Sequence, residues 1–211
     1  MPIQYKVFTL GQIENNTVVL FDEDSREGIL VDPSFQCQPV LDFITRQAIR
    51  IEKIICTHGH FDHIVGVPFF LGHLDPTPSI ALDQKDLLLW QEGGASRQFN
   101  YKLPPLPDPD EFLVQGQLLQ LAGTNIEVRE APGHTVGSVV FYLPSIQAVI
   151  CGDTLFNGGI GRTDLPNGDY EQLINAIQSQ ILSLPDDTVV IPGHGPLTTV
   201  GQERASNPFL E

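Results

Sequence analysis

Within six residues the chain places three histidines and an aspartate, in the run His58-Gly59-His60-Phe61-Asp62-His63. All four side chains are metal-ligand types, and imidazole combined with carboxylate suits zinc, iron or manganese rather than calcium. A regular helix or strand would not aim all four at one centre. A turn at the end of a strand can split them, with His58 and His60 toward one point and Asp62 and His63 toward a neighbouring one. The apolar stretch IEKIIC at 51–56 directly before the run supplies such a strand.

Three more residues sit in comparable places. His134 lies in APGHTVGS, Asp153 closes AVICGD, and His194 lies in IPGHGP. His58, His60 and His134 with Asp153 as a shared carboxylate complete one site with room for water. Asp62, His63 and His194 make a second. The sixth histidine, His73 in FFLGHLDP, has no partner pattern and reads as a helix-end residue. Ligating histidines need a partner for their other ring nitrogen. Asp32 ends a strand as Asp153 does and is expected to be such a partner, with a plain turn role before Pro33 as the alternative. Arg162 and Asp164, in GRTD, are expected to pair locally and fix the loop on the metal side.

The elements that must position these turns alternate between strand-like and helix-like stretches, which indicates a mixed α/β domain. Residues 17–32, TVVLFDEDSREGILVD, read as a strand, a charged turn and a second strand ending in Asp32. Residues 138–153, SVVFYLPSIQAVICGD, repeat that order and end in Asp153. After the first hairpin come a helix-like stretch near 37–48, the strand IEKIIC and the histidine run. After the second come a helix, the strand TVVI and the turn PGHG. The chain therefore reads as two related halves. In the second half the helix begins at Asp169, which has capping-box spacing to Gln172. Leu173, Ile177 and Ile181, with Tyr170 and Ile174, follow the helical period, and Pro185 ends it. Between the halves, KLPPLPDPD at 102–110 is too proline-rich for regular structure and reads as a surface linker, or else as a rim over the site.

With 211 residues, 41% of them hydrophobic, the chain can bury a sizeable core, and 1–211 is read as one domain. A net charge of −15 with 11 Lys and Arg disfavours nucleic acid, whose affinity rests on phosphate neutralisation. No apolar run approaches the ~18 residues of a membrane span, and the N-terminus has no signal-peptide pattern. Three cysteines (Cys37, Cys56 and Cys151) without framework spacing fit a reducing cytoplasm.

The order H-x-H-x-D-H, GHT turn, GD turn and GHG turn resembles the metallo-β-lactamase superfamily. The stretches GDTLFNGGIGRTDLPNG (152–168) and GHGPLTTVGQERASNPFL (193–210) resemble its short, single-domain glyoxalase II-like members, the hydroxyacylglutathione hydrolase-like proteins. The matching motifs run from Thr57 to Leu210. This resemblance implies an α/β fold, a four-layer αβ/βα sandwich of two related half-domains with the metals at one edge. It further implies two divalent metal ions, zinc with iron or manganese as alternatives. His58, His60 and His134 would hold the first, Asp62, His63 and His194 the second, and Asp153 would bridge them. Asp62 and Asp153 are the carboxylates expected to take part in catalysis. Two-domain glyoxalase II enzymes carry a C-terminal helical region that holds glutathione. This sequence stops at Glu211 without one, which leaves its thiol partner open. Zinc β-lactamases with a cysteine ligand would need it at position 153. Cys151 is two residues away and reads as core, so lactamase activity is set aside.

The reaction expected from such a centre is thioester hydrolysis, with S-lactoylglutathione-like molecules as substrates and a metal-bridging hydroxide as nucleophile. Two ions lower the pKa of a shared water from about 15.7 toward about 7. A thiol with a pKa of about 8.5 leaves as thiolate, so no dedicated general acid is needed. The rival within the fold is a mononuclear-iron persulfide dioxygenase, which resembles this chain in GRTD and in the ending Asn207-Pro208. Its last histidine sits in an AHD-type turn, whereas the turn here is PGHGP, which favours the hydrolase. A non-catalytic metal scaffold would need only one closed site, not seven ligand-type residues. The expected partner is a small-molecule thioester, and the sequence assigns neither substrate-binding residues nor an oligomeric state.

Overall fold

The structure, a computed structural model, describes residues 3–210, so the first two residues and the last of the expected 1–211 domain lie outside it. The first half runs β1 (Gln4–Leu10), β2 (Asn15–Phe21), β3 (Glu27–Val31), α1 (Gln38–Arg46), β4 (Arg50–Ile55), α2 (Phe61–Ile64) and α3 (Val67–His73). It continues through β5 (Ser79–Asp83), α4 (Leu87–Gln91) and β6 (Glu111–Leu113). The second half runs β7 (Leu118–Leu121), β8 (Thr124–Glu130), β9 (Val139–Leu143), β10 (Ala148–Gly152), β11 (Leu155–Phe156) and β12 (Gly159–Ile160). It ends with α5 (Tyr170–Ala176), β13 (Val189–Pro192), β14 (Thr198–Thr199) and α6 (Val200–Ser206).

Among the described residues, two six-stranded sheets form, in the orders β1-β2-β3-β4-β5-β6 and β14-β13-β10-β9-β8-β7. The repeat read in the sequence is a repeat of pairing. β2 runs antiparallel to β3, and β4, after α1, returns parallel to β3. Likewise β9 runs antiparallel to β10, and β13, after α5, returns parallel to β10. Each parallel strand then delivers a histidine turn.

Apolar side chains fill three layers, which is why the central strands are apolar on both faces. Val18, Leu20, Ile29 and Val31 of the first sheet meet Val128, Phe141 and Ile150 of the second in the middle. Val40 and Ile44 of α1, Phe70 of α3 and Trp90 of α4 cover the first sheet from outside. Leu173, Ile177, Ile181 and Val200 cover the second. The chain is thus a four-layer αβ/βα sandwich. Each such buried aliphatic or aromatic side chain contributes about 1.5–3 kcal/mol by leaving water.

Two expectations change in detail. The single helix expected after Asp169 is α-helical only to Ala176, and Ile177–Ile181 is a π-helical turn. Leu173, Ile177 and Ile181 recur every four residues, a spacing that drifts forward around an α-helix and backward around a wider π-turn. Combining the two keeps all three on the sheet. Tyr170, expected on the buried face, is instead exposed at the first turn. The proline-rich 102–110 segment has no regular structure, yet it is not free. The Trp90 indole N–H donates to the Pro107 carbonyl at 3.0 Å, and Leu103 and Leu106 pack on the outer core of the first sheet.

Candidate metal centre

The ligand-type residues converge at the carboxyl ends of β4, β8, β10 and β13, the edge where open α/β sheets characteristically hold ligands. His60 is extended, with φ −69° and ψ 147°, and α2 begins at the next residue. That change of direction separates His58 and His60 from Asp62 and His63. Donor atoms of His58, His60 and His134 all lie within 4.8 Å of one another, and so do those of Asp62, His63 and His194. A third group, His58, His63 and Asp153, meets the same condition and links the two.

Hydrogen bonds at the periphery fix which nitrogen each imidazole offers the centre. A carbonyl oxygen only accepts, so His134 Nδ1 donates to the Arg162 carbonyl at 2.8 Å and His194 Nδ1 donates to the Ile13 carbonyl at 2.8 Å. His63 Nδ1 donates to Asp32 Oδ2 at 2.9 Å. The Thr57 hydroxyl gives its proton to Asp32 Oδ2 at 2.7 Å, so it accepts from His58 Nδ1 at 3.1 Å. In their neutral forms, four histidines therefore present a bare Nε2. His60 presents Nδ1, which lies 2.9 Å from His134 Nε2.

These inward nitrogens face carboxylates and one another. Asp153 Oδ1 lies 3.3 Å from His63 Nε2, and Asp153 Oδ2 lies 3.5 Å from His134 Nε2 and 3.6 Å from His194 Nε2. Asp62 Oδ2 is 3.2 Å from His194 Nε2. Gly193 makes this packing possible, since a β-carbon there would stand 2.2 Å from Asp153 Oδ1 and 2.7 Å from the His63 ring.

Charge is divided unevenly. Burial, with neighbouring imidazoles, holds His58 well below the usual histidine range and brings His60 down to about 3. Burial also works against charge on His63, but Asp153, Asp62 and Asp32 outweigh it and raise that ring well above the range. His194 is raised as well, its burial outweighed by its bond to Asp62 and by Asp153. His58 Nε2 is buried without a hydrogen-bond partner, at a cost of about 1–3 kcal/mol, and Asp153 Oδ1 has only the His63 ring beside it. A divalent cation would satisfy both, and five imidazoles with two carboxylates suit zinc, iron or manganese.

Asp32 adopts a left-handed backbone, φ +48°, which aspartate tolerates better than most residues. Its carboxylate also accepts the Thr57 N–H at 2.7 Å. Arg162 and Asp164 pair at 2.7 Å on the exposed surface, but the group that reaches the centre from this loop is the Arg162 backbone carbonyl. His73 belongs to none of the ligand groups among the described residues. Its ring stacks on Phe69 at the end of α3, and its Nδ1 donates to the Phe69 carbonyl. Cys151 is buried in the outer core of the second sheet, where burial pushes its thiol up to about 12, and Gly152 at φ +48° intervenes before Asp153.

Sequence reasoning missed Asn15, whose Nδ2 lies 3.1 Å from His63 Nε2 in a fully buried position. The signal was Asn15-Asn16-Thr17, a polar opening to an otherwise apolar strand. It also missed Thr57 and Asp86. A cavity of about 610 Å³ touches His60 and is lined by Asp86, Leu88, Arg97, Thr135 and Asn167, a size suited to a small-molecule ligand.

A family model described as the metallo-beta-lactamase superfamily matches residues 11–194. The chain is 35% identical over 208 residues to hydroxyacylglutathione hydrolase GloC of Haemophilus influenzae, covering 97% of each protein. It superposes on the crystal structure of BLEG-1 B3 metallo-beta-lactamase with a TM-score of 0.91 and 34% identity, covering 98% of this chain and 99% of that one. It superposes on TTHA1623 in a di-iron-bound form with a TM-score of 0.86 and 35% identity, covering 97% and 100%.

Proposed function

Because the chain belongs to the metallo-β-lactamase superfamily, we propose that it is a two-metal hydrolase acting on thioesters of the hydroxyacylglutathione type. The observation that carries the reading is the pair of donor groups joined through Asp153, each completed by residues from both halves of the chain. The similarity to GloC along nearly the whole length supports the substrate class.

Two divalent ions held there would supply hydroxide from water at neutral pH and draw electron density from a carbonyl. The chain's own residues do the rest. Asp32, Thr57 and the carbonyls of Ile13 and Arg162 lock the imidazoles in the tautomers that leave their inward nitrogens bare. The cavity beside His60 admits the substrate from the first-site side, between the GHT turn and the segment after α4. Thiolate departs without needing a proton donor.

The test is metal content per chain in protein purified without added metal, paired with hydrolysis of S-lactoylglutathione and of a β-lactam by the same preparation. About two metals per chain and thioester cleavage exceeding β-lactam cleavage are expected. One iron per chain with oxygen uptake on glutathione persulfide would replace the hydrolase by a dioxygenase, and dominant β-lactam cleavage would replace the substrate class.

A further inference from the structure

Asp86 is fully buried, yet none of its described contacts is with a lysine or arginine. Its neighbour Lys85 pairs with Glu130 instead. Three donors converge on the carboxylate. The Gly59 N–H donates to Oδ2 at 2.8 Å, the Gly137 N–H donates to Oδ1 at 2.8 Å, and the Thr135 hydroxyl donates to Oδ2 at 2.7 Å. The Ser138 hydroxyl, 2.8 Å from Thr135 Oγ1, completes the chain by donating to it.

The positions of these donors matter more than their number. Gly59 lies between His58 and His60 in the first half, and Thr135 and Gly137 follow His134 in the second. One carboxylate therefore grips both turns that carry the three imidazoles of the first site. The fit leaves no slack, since a β-carbon on Gly137 would stand 2.8 Å from Asp86 Oδ1 and one on Gly59 3.3 Å from the Asp86 carbonyl. A buried carboxylate without a cationic side chain is costly and is found beside a cation of another kind. The same turn holds the unpartnered His58 Nε2. The second site has Asp62 of its own, whereas the first has only histidines and the shared Asp153.

We propose that Asp86 is the positioning residue of the first metal site, holding the His58–His60 and His134 turns at one separation and supplying negative charge to a site of neutral imidazoles. It touches no ligand-bearing nitrogen and acts through the backbone of the turns. The inference rests on the two-metal reading above.

The test is site-resolved zinc retention by loaded protein challenged with a chelator. In a His194→Ala background, which leaves the first site, Asp86→Asn should weaken retention by about 10–100-fold, the range for an outer partner of a metal ligand. In a His134→Ala background, which leaves the second, retention should change by less than about threefold. Thr135→Val, which removes one grip and keeps the charge, should give a smaller loss confined to the first site, and it serves where Asp86→Asn does not fold. Equal weakening of both sites, or no loss at the first, overturns the proposal while the two-metal reading stands. An unsubstituted chain that retains no zinc at all overturns both.

Discussion

Asp32 and His63 meet at 2.9 Å, the carboxylate at the end of β3 holding an imidazole of the second ligand group. The same carboxylate accepts both donors of Thr57, so it steadies His58 one step removed. Asp32→Ala should therefore weaken zinc retention about 10–100-fold and lower thermal stability. The stability loss comes from two buried Thr57 donors left unsatisfied, at about 1–3 kcal/mol each. Asp32→Asn keeps an acceptor and should do less damage on both counts. Metal analysis and thermal unfolding of the two variants decide this, and equal behaviour of Ala and Asn would show that Asp32 is only a turn residue.

Asp153 lies within 3.6 Å of three inward nitrogens belonging to both groups. Asp153→Ala is expected to abolish turnover and to loosen both metals together. His73→Ala, at a ring stacked on Phe69, should leave metal content and rate unchanged. Loss of a metal from the His73 variant would contradict the ligand assignment.

Acid should empty the two sites in order. His63 and His194 are raised, so protons compete with a metal for these rings at higher pH than for an ordinary histidine. His58 and His60 are lowered and already neutral there, so the first site competes with fewer protons. As pH falls, the second site should lose zinc first, and uptake at the second site should release more protons than uptake at the first. Zinc content of His134→Ala and His194→Ala proteins equilibrated across acid pH tests the order, and earlier loss from the first site would reverse it.

Substrate charge should be read by Arg97. It lines the cavity beside His60 and has no ion-pair partner among the described residues, in a chain of net charge −15. Hydrolysis of S-lactoylglutathione should show a high KM, because long-range attraction to an anionic thiol is weak. Arg97→Gln should raise that KM several-fold, by about 1 kcal/mol or less of lost surface pairing, and leave kcat and neutral thioesters unchanged. Equal effects on charged and neutral substrates would remove Arg97 from the binding surface.

The ligand run, the paired hairpins and the layer order were legible because each rests on local spacing: His58 to His63 within six residues, and 17–32 rhyming with 138–153. What was hidden depends on contacts between distant segments. Asp86 gives no local signal, since its meaning lies in Gly59 and Gly137, which only the fold brings to it. The carbonyls of Ile13 and Arg162 carry no side-chain signature at all. The π-turn after Ala176 was concealed because a four-residue apolar repeat also fits an α-helix over a short stretch.

The division of ligands between halves makes the centre a cross-link as well as a reaction site. An ion at the first position would join His58 to His134, and one at the second would join His63 to His194, each closing a loop of well over seventy residues. Restricting loops of that length removes about 4–5 kcal/mol of chain entropy from the unfolded state in the cross-link treatment used for disulfides. This protein has three buried cysteines and no disulfide, so the ions would take over the stapling role that covalent bridges play elsewhere. Unfolding and metal release then become one event.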